Sequence, residues 1–216
     1  MDPSELATRL RLIVITDRNR AEPRSLTDVV AAAVAAGAPA VQLRDKRASA
    51  RGLYDLGRKL LPLVRKAGAL FFVNDRVDVA LALQADGAHV GPDDLPVSRL
   101  RPALPSDFLL GTSTDDPDEA RTLVRDGADY IGCGTVYPTA SKPDAGEVIG
   151  LDGLDRVARA VPVPVVGIGG VTADRASEVA TTAACGVAVI SAVMAAEDVD
   201  AVVRALLAPW HETREA

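Results

Sequence analysis

The stretch Val163–Ala192, VPVVGIGGVTADRASEVATTAACGVAVISA, decides the fold. It opens on the apolar β-branched run Val163–Ile168, passes through a polar helix-like segment, and closes on a second apolar run, Gly186–Ser191. A strand, a helix and a strand in that order imply parallel pairing through a right-handed crossover. Residues Val179–Ala196 carry no charge over 18 positions, the length of a membrane span. Thr181, Thr182, Gly186 and Ser191 interrupt them, so the segment reads as a helix end, a buried strand and a loop.

The same unit recurs through the chain. Further apolar runs stand at Leu12–Thr16, Ala40–Leu43, Leu70–Val73, Gly87–Val90, Phe108–Gly111 and Tyr130–Gly134. Between them lie helically spaced apolar positions, such as Leu26, Val29, Val30 and Ala33, then Leu53, Leu56, Leu60 and Leu63. Eight strand–helix units in 216 residues match a compact single-domain α/β protein, the (β/α)8 TIM barrel. A doubly wound open sheet is the rival on pattern alone. The expected organisation is an N-terminal extension over 1–10, a barrel over 11–209 and a frayed C-terminal tail over 210–216 that holds Trp210 and His211.

Composition narrows the partners. Hydrophobic residues make up 48% of the chain and aromatics 3%, so the core is aliphatic and lacks the stacking platforms that bind single-stranded nucleic acid. With 24 Lys+Arg against 30 Asp+Glu the net charge is -6, which offers no broad basic field for a nucleic-acid backbone. Local cations still decide whether an anionic small molecule binds. Cys133 and Cys185 show neither zinc spacing nor a disulfide framework, and Met1–Glu5 lacks the form of a secretion signal. Together these predict a cytoplasmic protein with no membrane or nucleic-acid partner; a homo-oligomeric state is left open.

In a barrel, chemistry collects where strands end. Gln42, Arg44 and Lys46 alternate along one face after run two, and two cations on an otherwise apolar strand point to an anion. Asn74, Asp75 and Asp94 supply hard oxygens at the ends of runs three and four, suited to Mg²⁺, although taken singly Asp75 and Asp94 could equally cap a helix or close a turn. Thr112, Ser113 and Thr114 end run five. The long segment Thr135–Gly150 carries Thr139, Ser141 and Lys142, two hydroxyls and an ammonium for an anion. Gly167–Gly170 lets backbone N–H groups approach a phosphate beside Ile190 and Ser191. His89 reads as a packing residue and both cysteines as buried small residues. No nucleophile stands out.

The segments Val41–Lys46, Val73–Asp75, Gly91–Asp94, Gly111–Ser113, Gly134–Ala145, Gly167–Gly170 and Val189–Ala192, in this order and spacing, resemble the thiamine-phosphate synthase family over nearly the whole chain after residue 10. The resemblance implies a (β/α)8 transferase. It would join a hydroxymethylpyrimidine diphosphate to a hydroxyethylthiazole phosphate, or its carboxylated form, and release pyrophosphate with Mg²⁺ as cofactor. Carried over by position, Gln42, Leu43, Arg44, Asp45, Lys46, Asn74, Ser113 and Lys142 would hold the pyrimidine diphosphate. Arg44, Lys142 and Ser113 would act on the reaction itself. Thr139, Ala140, Ser141, Gly169, Ile190 and Ser191 would hold the thiazole phosphate, and Asp75 and Asp94 the metal. Ser141 replaces the family's usual Thr and keeps the hydroxyl; Pro92 stands where Gln is frequent. The alternatives are a thiazole phosphate tautomerase-like isomerase of the same barrel family and a non-catalytic phosphate-binding barrel. No fused C-terminal kinase is expected, because the chain stops after its eighth unit.

Overall fold

A computed structural model describes residues 1–139 and 147–212. Eight parallel strands close on themselves in sequence order, β1-β2-β3-β4-β5-β6-β7-β8, so the open-sheet rival is excluded. They are β1 Leu12–Ile15, β2 Ala40–Leu43, β3 Leu70–Asn74, β4 Gly87–Val90, β5 Leu109–Ser113, β6 Tyr130–Cys133, β7 Val165–Ile168 and β8 Gly186–Val189. Every expected run forms a strand, because short β-branched runs buried on both faces suit a sheet wrapped by helices.

The helices are α1 Pro3–Arg9, α2 Arg18–Ala21, α3 Leu26–Ala35, α4 Ala50–Lys66, α5 Val77–Leu83, α6 Val97–Leu100, α7 Pro117–Arg125, α8 Gly150–Ala160, α9 Ala173–Val179, α10 Ser191–Met194 and α11 Val199–Glu212. Ser25, Ser49 and Asp116 cap α3, α4 and α7 by accepting backbone N–H bonds, which fixes where each helix leaves its loop. Leu53, Leu60, Leu61 and Val64 of α4 turn one stripe to the sheet.

Helices stand at both ends of the described chain. Residues 3–9 form α1, and Leu6 and Leu10 are buried in the common core. Trp210, expected in a frayed tail, lies in α11 and is buried. The physical reason is spacing: Val203, Leu206, Leu207 and Trp210 follow i, i+3, i+4, i+7, so the helix continues its apolar stripe past residue 209. Helix α11 thus runs past the expected boundary at 209, to Glu212.

Register sets the interior. Asn74 pairs with His89, His89 with Gly111, and Gly111 with Tyr130, so these four residues form one cross-strand row. Gln42 pairs with Phe72 in the neighbouring row. Polar side chains thus enter the barrel near its C-terminal mouth, with Phe72 packed edge-on against the Tyr130 ring.

Candidate active site

A cavity of about 610 Å³ opens at that mouth, within the range of small-molecule sites. All eight strand ends or the loops after them contribute to its wall.

The β2 end brings Arg44 and Lys46 to the cavity. Thr16, fully buried just after β1, holds that turn: its Oγ1 accepts from the Arg44 N–H at 2.8 Å and donates to the Arg44 carbonyl at 3.0 Å. The neighbours of Arg44 do other work. Gln42 is buried below the mouth, the Leu43 side chain packs outward against α4, and none of Gln42, Leu43 and Asp45 lines the cavity. The Asp45 carboxylate accepts the N–H groups of Arg47 and Ala48 at 3.1 and 3.2 Å and lies 3.5 Å from the Arg18 guanidinium. It closes the turn that presents Arg44 and Lys46.

Across from these cations stand two acids. Asp75 follows β3 with φ +61°, a left-handed conformation uncommon for a non-glycine residue, and its N–H donates to the His89 carbonyl at 2.8 Å. Helix α5 begins without a side-chain cap, so Asp75 is not spent on capping. Asp94 Oδ2 accepts the Gly91 N–H at 2.8 Å, which folds the β4 loop so that Asp94 meets Asp75. Burial pushes the Asp75 carboxyl above its ordinary value, and the Asp94 carboxylate and the hydrogen bond to it push the same way; Lys46 and Arg44 oppose. Two carboxyls and two cations therefore share one space. Among the described residues no cluster of three or more metal-ligating side chains exists, so the pair offers a cation only two carboxylates.

On the far wall, the loop after β6 is tied to the loop after β7. Val136 and Tyr137 donate their N–H groups to the carbonyls of Ile168 and Gly169 at 2.9 and 3.0 Å. Gly169 and Gly170 have φ +102° and +63°, conformations open to glycine, and a side chain at either would strike Thr135 or the carbonyls of Tyr137 and Pro138. Thr139, Gly169, Ile190 and Ser191 all line the cavity, as do Asn74 and Ser113. Ala140, Ser141 and Lys142 lie outside the described residues.

Three wall residues escaped sequence reasoning. His89, read as packing, lines the cavity and meets Ser113 Oγ through Nε2 at 2.8 Å. Arg20 reaches in from α2 beside Asp17, 3.6 Å away. It follows run one, the strand end whose loop drew no attention, and the rule of strand ends would have found it. Arg175 enters from α9, its guanidinium 4.6 Å from the Tyr137 ring centroid and donating to the Gly170 carbonyl at 2.8 Å. Six residues of loop and helix separate it from the strand, so spacing alone does not flag it. Cys133 and Cys185 are not nucleophiles of this site: burial pushes both thiols up to about 12.

A closed parallel barrel whose mouth sets cations and glycine-rich backbone against paired carboxylates defines the class, a TIM-barrel enzyme acting on small molecules. The family model described as thiamine monophosphate synthase matches residues 12–193. The thiamine-phosphate synthase of Roseiflexus castenholzii is 53% identical over 193 residues, covering 89% of this chain and 85% of its own. That of Moorella thermoacetica is 50% identical over 183 residues, covering 85% and 87%. Among solved structures, thiamine phosphate pyrophosphorylase from Pyrococcus furiosus superposes with a TM-score of 0.87 at 44% identity, covering 96% of this chain and 98% of its own. The chain belongs to the thiamine monophosphate synthase family.

Proposed function

We propose that this enzyme couples a hydroxymethylpyrimidine diphosphate to a hydroxyethylthiazole phosphate, or its carboxylated form, giving thiamine phosphate and pyrophosphate. The observation that carries the reading is the Asp75–Asp94 pair facing Arg44 and Lys46 in one cavity of a chain of this family. The pair fits Mg²⁺, which takes one or two carboxylates and completes its shell with water and phosphate oxygens. Bound there, Mg²⁺ would neutralise charge on the departing diphosphate.

The remaining chemistry belongs to the side chains. The C–O bond to the diphosphate breaks with its electron pair leaving on oxygen, and the thiazole nitrogen lone pair forms the new C–N bond. That nitrogen needs no deprotonation, so the coupling requires neither a protein nucleophile nor a base. The aminopyrimidine delocalises the positive charge that develops, so a dissociative path fits. Arg44, Lys46 and Lys142 stabilise the leaving anion, and Ser113 and Asn74 hold the pyrimidine. Thr139, Ala140, Ser141, Gly169, Ile190 and Ser191 seat the thiazole phosphate and align its nitrogen. A tautomerase-like reading would leave Asp75 and Asp94 without a role. The two unpaired cysteines fit a reducing cytoplasm; among the described residues no helix is long and apolar enough to cross a membrane. The decisive test is product formation from both substrates with and without Mg²⁺. Coupling that survives excess chelator overturns the metal assignment, and no coupling with Mg²⁺ present overturns the function.

A further inference from the structure

The row of residues that runs from Asn74 to Tyr130 does something that neither the cation pair nor the acid pair requires. Tyr130 is fully buried, yet its hydroxyl lies 3.1 Å from His89 Nδ1, while His89 Nε2 lies 2.8 Å from Ser113 Oγ at the cavity wall. The phenol reaches His89 only because Gly111, its register partner, has no side chain: a Cβ there would sit 2.1 Å from Tyr130 Cζ and 2.6 Å from its hydroxyl oxygen. A second glycine, Gly132, faces the imidazole, where a Cβ would come within 3.1 Å of the His89 ring.

We propose that Tyr130 and His89 are positioning residues that form a one-way donor relay ending on Ser113, so that the Ser113 hydroxyl donates its hydrogen into the cavity. A phenol is a good donor and a poor acceptor, whereas the bare nitrogen of neutral imidazole is a good acceptor, so Tyr130 O–H donates to His89 Nδ1. Nε2 then carries the ring proton and donates to Ser113 Oγ, which leaves the serine hydrogen for an acceptor on the ligand. Burial pushes the Tyr130 hydroxyl up, so the phenol keeps the hydrogen that it donates. Each bond polarises the next in a low-dielectric interior. Every hydrogen in the chain thus points toward the cavity, which suits a diphosphate oxygen or a pyrimidine ring nitrogen and rejects a ligand that offers only N–H.

The substrate side of this inference rests on the proposed function; the direction of the relay does not. The chain has two histidines, His89 and His211, so ¹⁵N-histidine labelling gives two assignable rings, with His211→Gln identifying the second. At about pH 8, where an unperturbed imidazole is neutral, wild-type His89 should be a single tautomer, Nδ1 bare and Nε2 protonated. The opposite tautomer, or an exchange-averaged pair, overturns the relay. Tyr130→Phe should mix the tautomers and lower kcat/KM for the pyrimidine diphosphate about tenfold, the worth of one hydrogen bond. KM for the thiazole phosphate should stay within about twofold, because those contacts lie on the opposite wall. A Tyr130→Phe protein that keeps the wild-type tautomer and pyrimidine kcat/KM also overturns it. If that variant does not fold, the wild-type spectrum still decides. The correct tautomer in an enzyme that forms no thiamine phosphate supports the relay and counts against the proposed function alone.

Discussion

Gly169→Ala should separate the two halves of the site. At φ +102° the residue lies outside the small left-handed region that an L side chain tolerates, and this costs about 1–3 kcal/mol. The added Cβ would also stand 2.9 Å from both Cα and Cγ2 of Thr135, backbone on one side and a buried β-branched side chain on the other. Neither yields without moving the loop after β6, which is bonded to the Ile168 and Gly169 carbonyls. Together these amount to about 2–4 kcal/mol. For a chain of this size that lowers Tm by roughly 5–15 °C at about 2–4 °C per kcal/mol. The displacement carries Thr139 with it and leaves Arg44, Asp75, Asp94 and Ser113 where they are. In a steady-state pyrophosphate-release assay, KM for the thiazole phosphate should rise about tenfold or more, while KM for the pyrimidine diphosphate should change less than about twofold. A variant that folds and raises both constants equally refutes the partition of the cavity. A variant with wild-type Tm refutes the steric argument.

Other tests follow from the same geometry. In chelator, the folded protein retains a proton on Asp75 over a range in which the unfolded chain has lost it; this contribution is fully present below the ordinary carboxylate value and is lost as pH rises through the raised one. Thermal melts from about pH 4 to about pH 8 should therefore show a decline with pH in EDTA that Asp94→Asn flattens and Mg²⁺ reverses; a slope unaffected by the substitution refutes the coupling. Lys142→Ala should cut turnover by about two to three orders of magnitude and raise the fraction of pyrimidine diphosphate hydrolysed rather than coupled, by analogy with the loss of one preorganised donor. Near-normal partitioning of product would make that residue a bystander. Trp210→Ala should cost about 2–4 kcal/mol in urea denaturation, because the side chain is buried at the end of the α11 stripe; a loss under about 0.5 kcal/mol would restore the view of a loose tail.

What the sequence made legible is what depends on period and order. Eight apolar runs, each followed by helical spacing, leave few topologies once crossovers are right-handed, and strand ends then locate the mouth. Arg44, Lys46, Asn74, Asp75, Asp94 and Ser113 could be placed at the cavity this way because each closes a strand or follows one within four residues. Carrying roles over by position is coarser where the chain turns. Asp45 follows β2 among cavity residues, but its carboxylate bonds locally to the Arg47 and Ala48 N–H groups, a competition between side chain and turn that motif matching does not see.

His89 exposes a different limit. Within β4 it is a polar residue in an apolar run, and packing is the ordinary reading of such a residue. Its role depends on what stands beside it two strands away, which only register reveals. His89 and Tyr130 are 41 positions apart, and they meet because the residue between them in the row is Gly111 rather than a residue with a side chain. In one dimension Gly111 ends a strand and predicts a turn. In the closed barrel it is the gap through which a buried phenol reaches an imidazole, and through it the serine at the cavity wall.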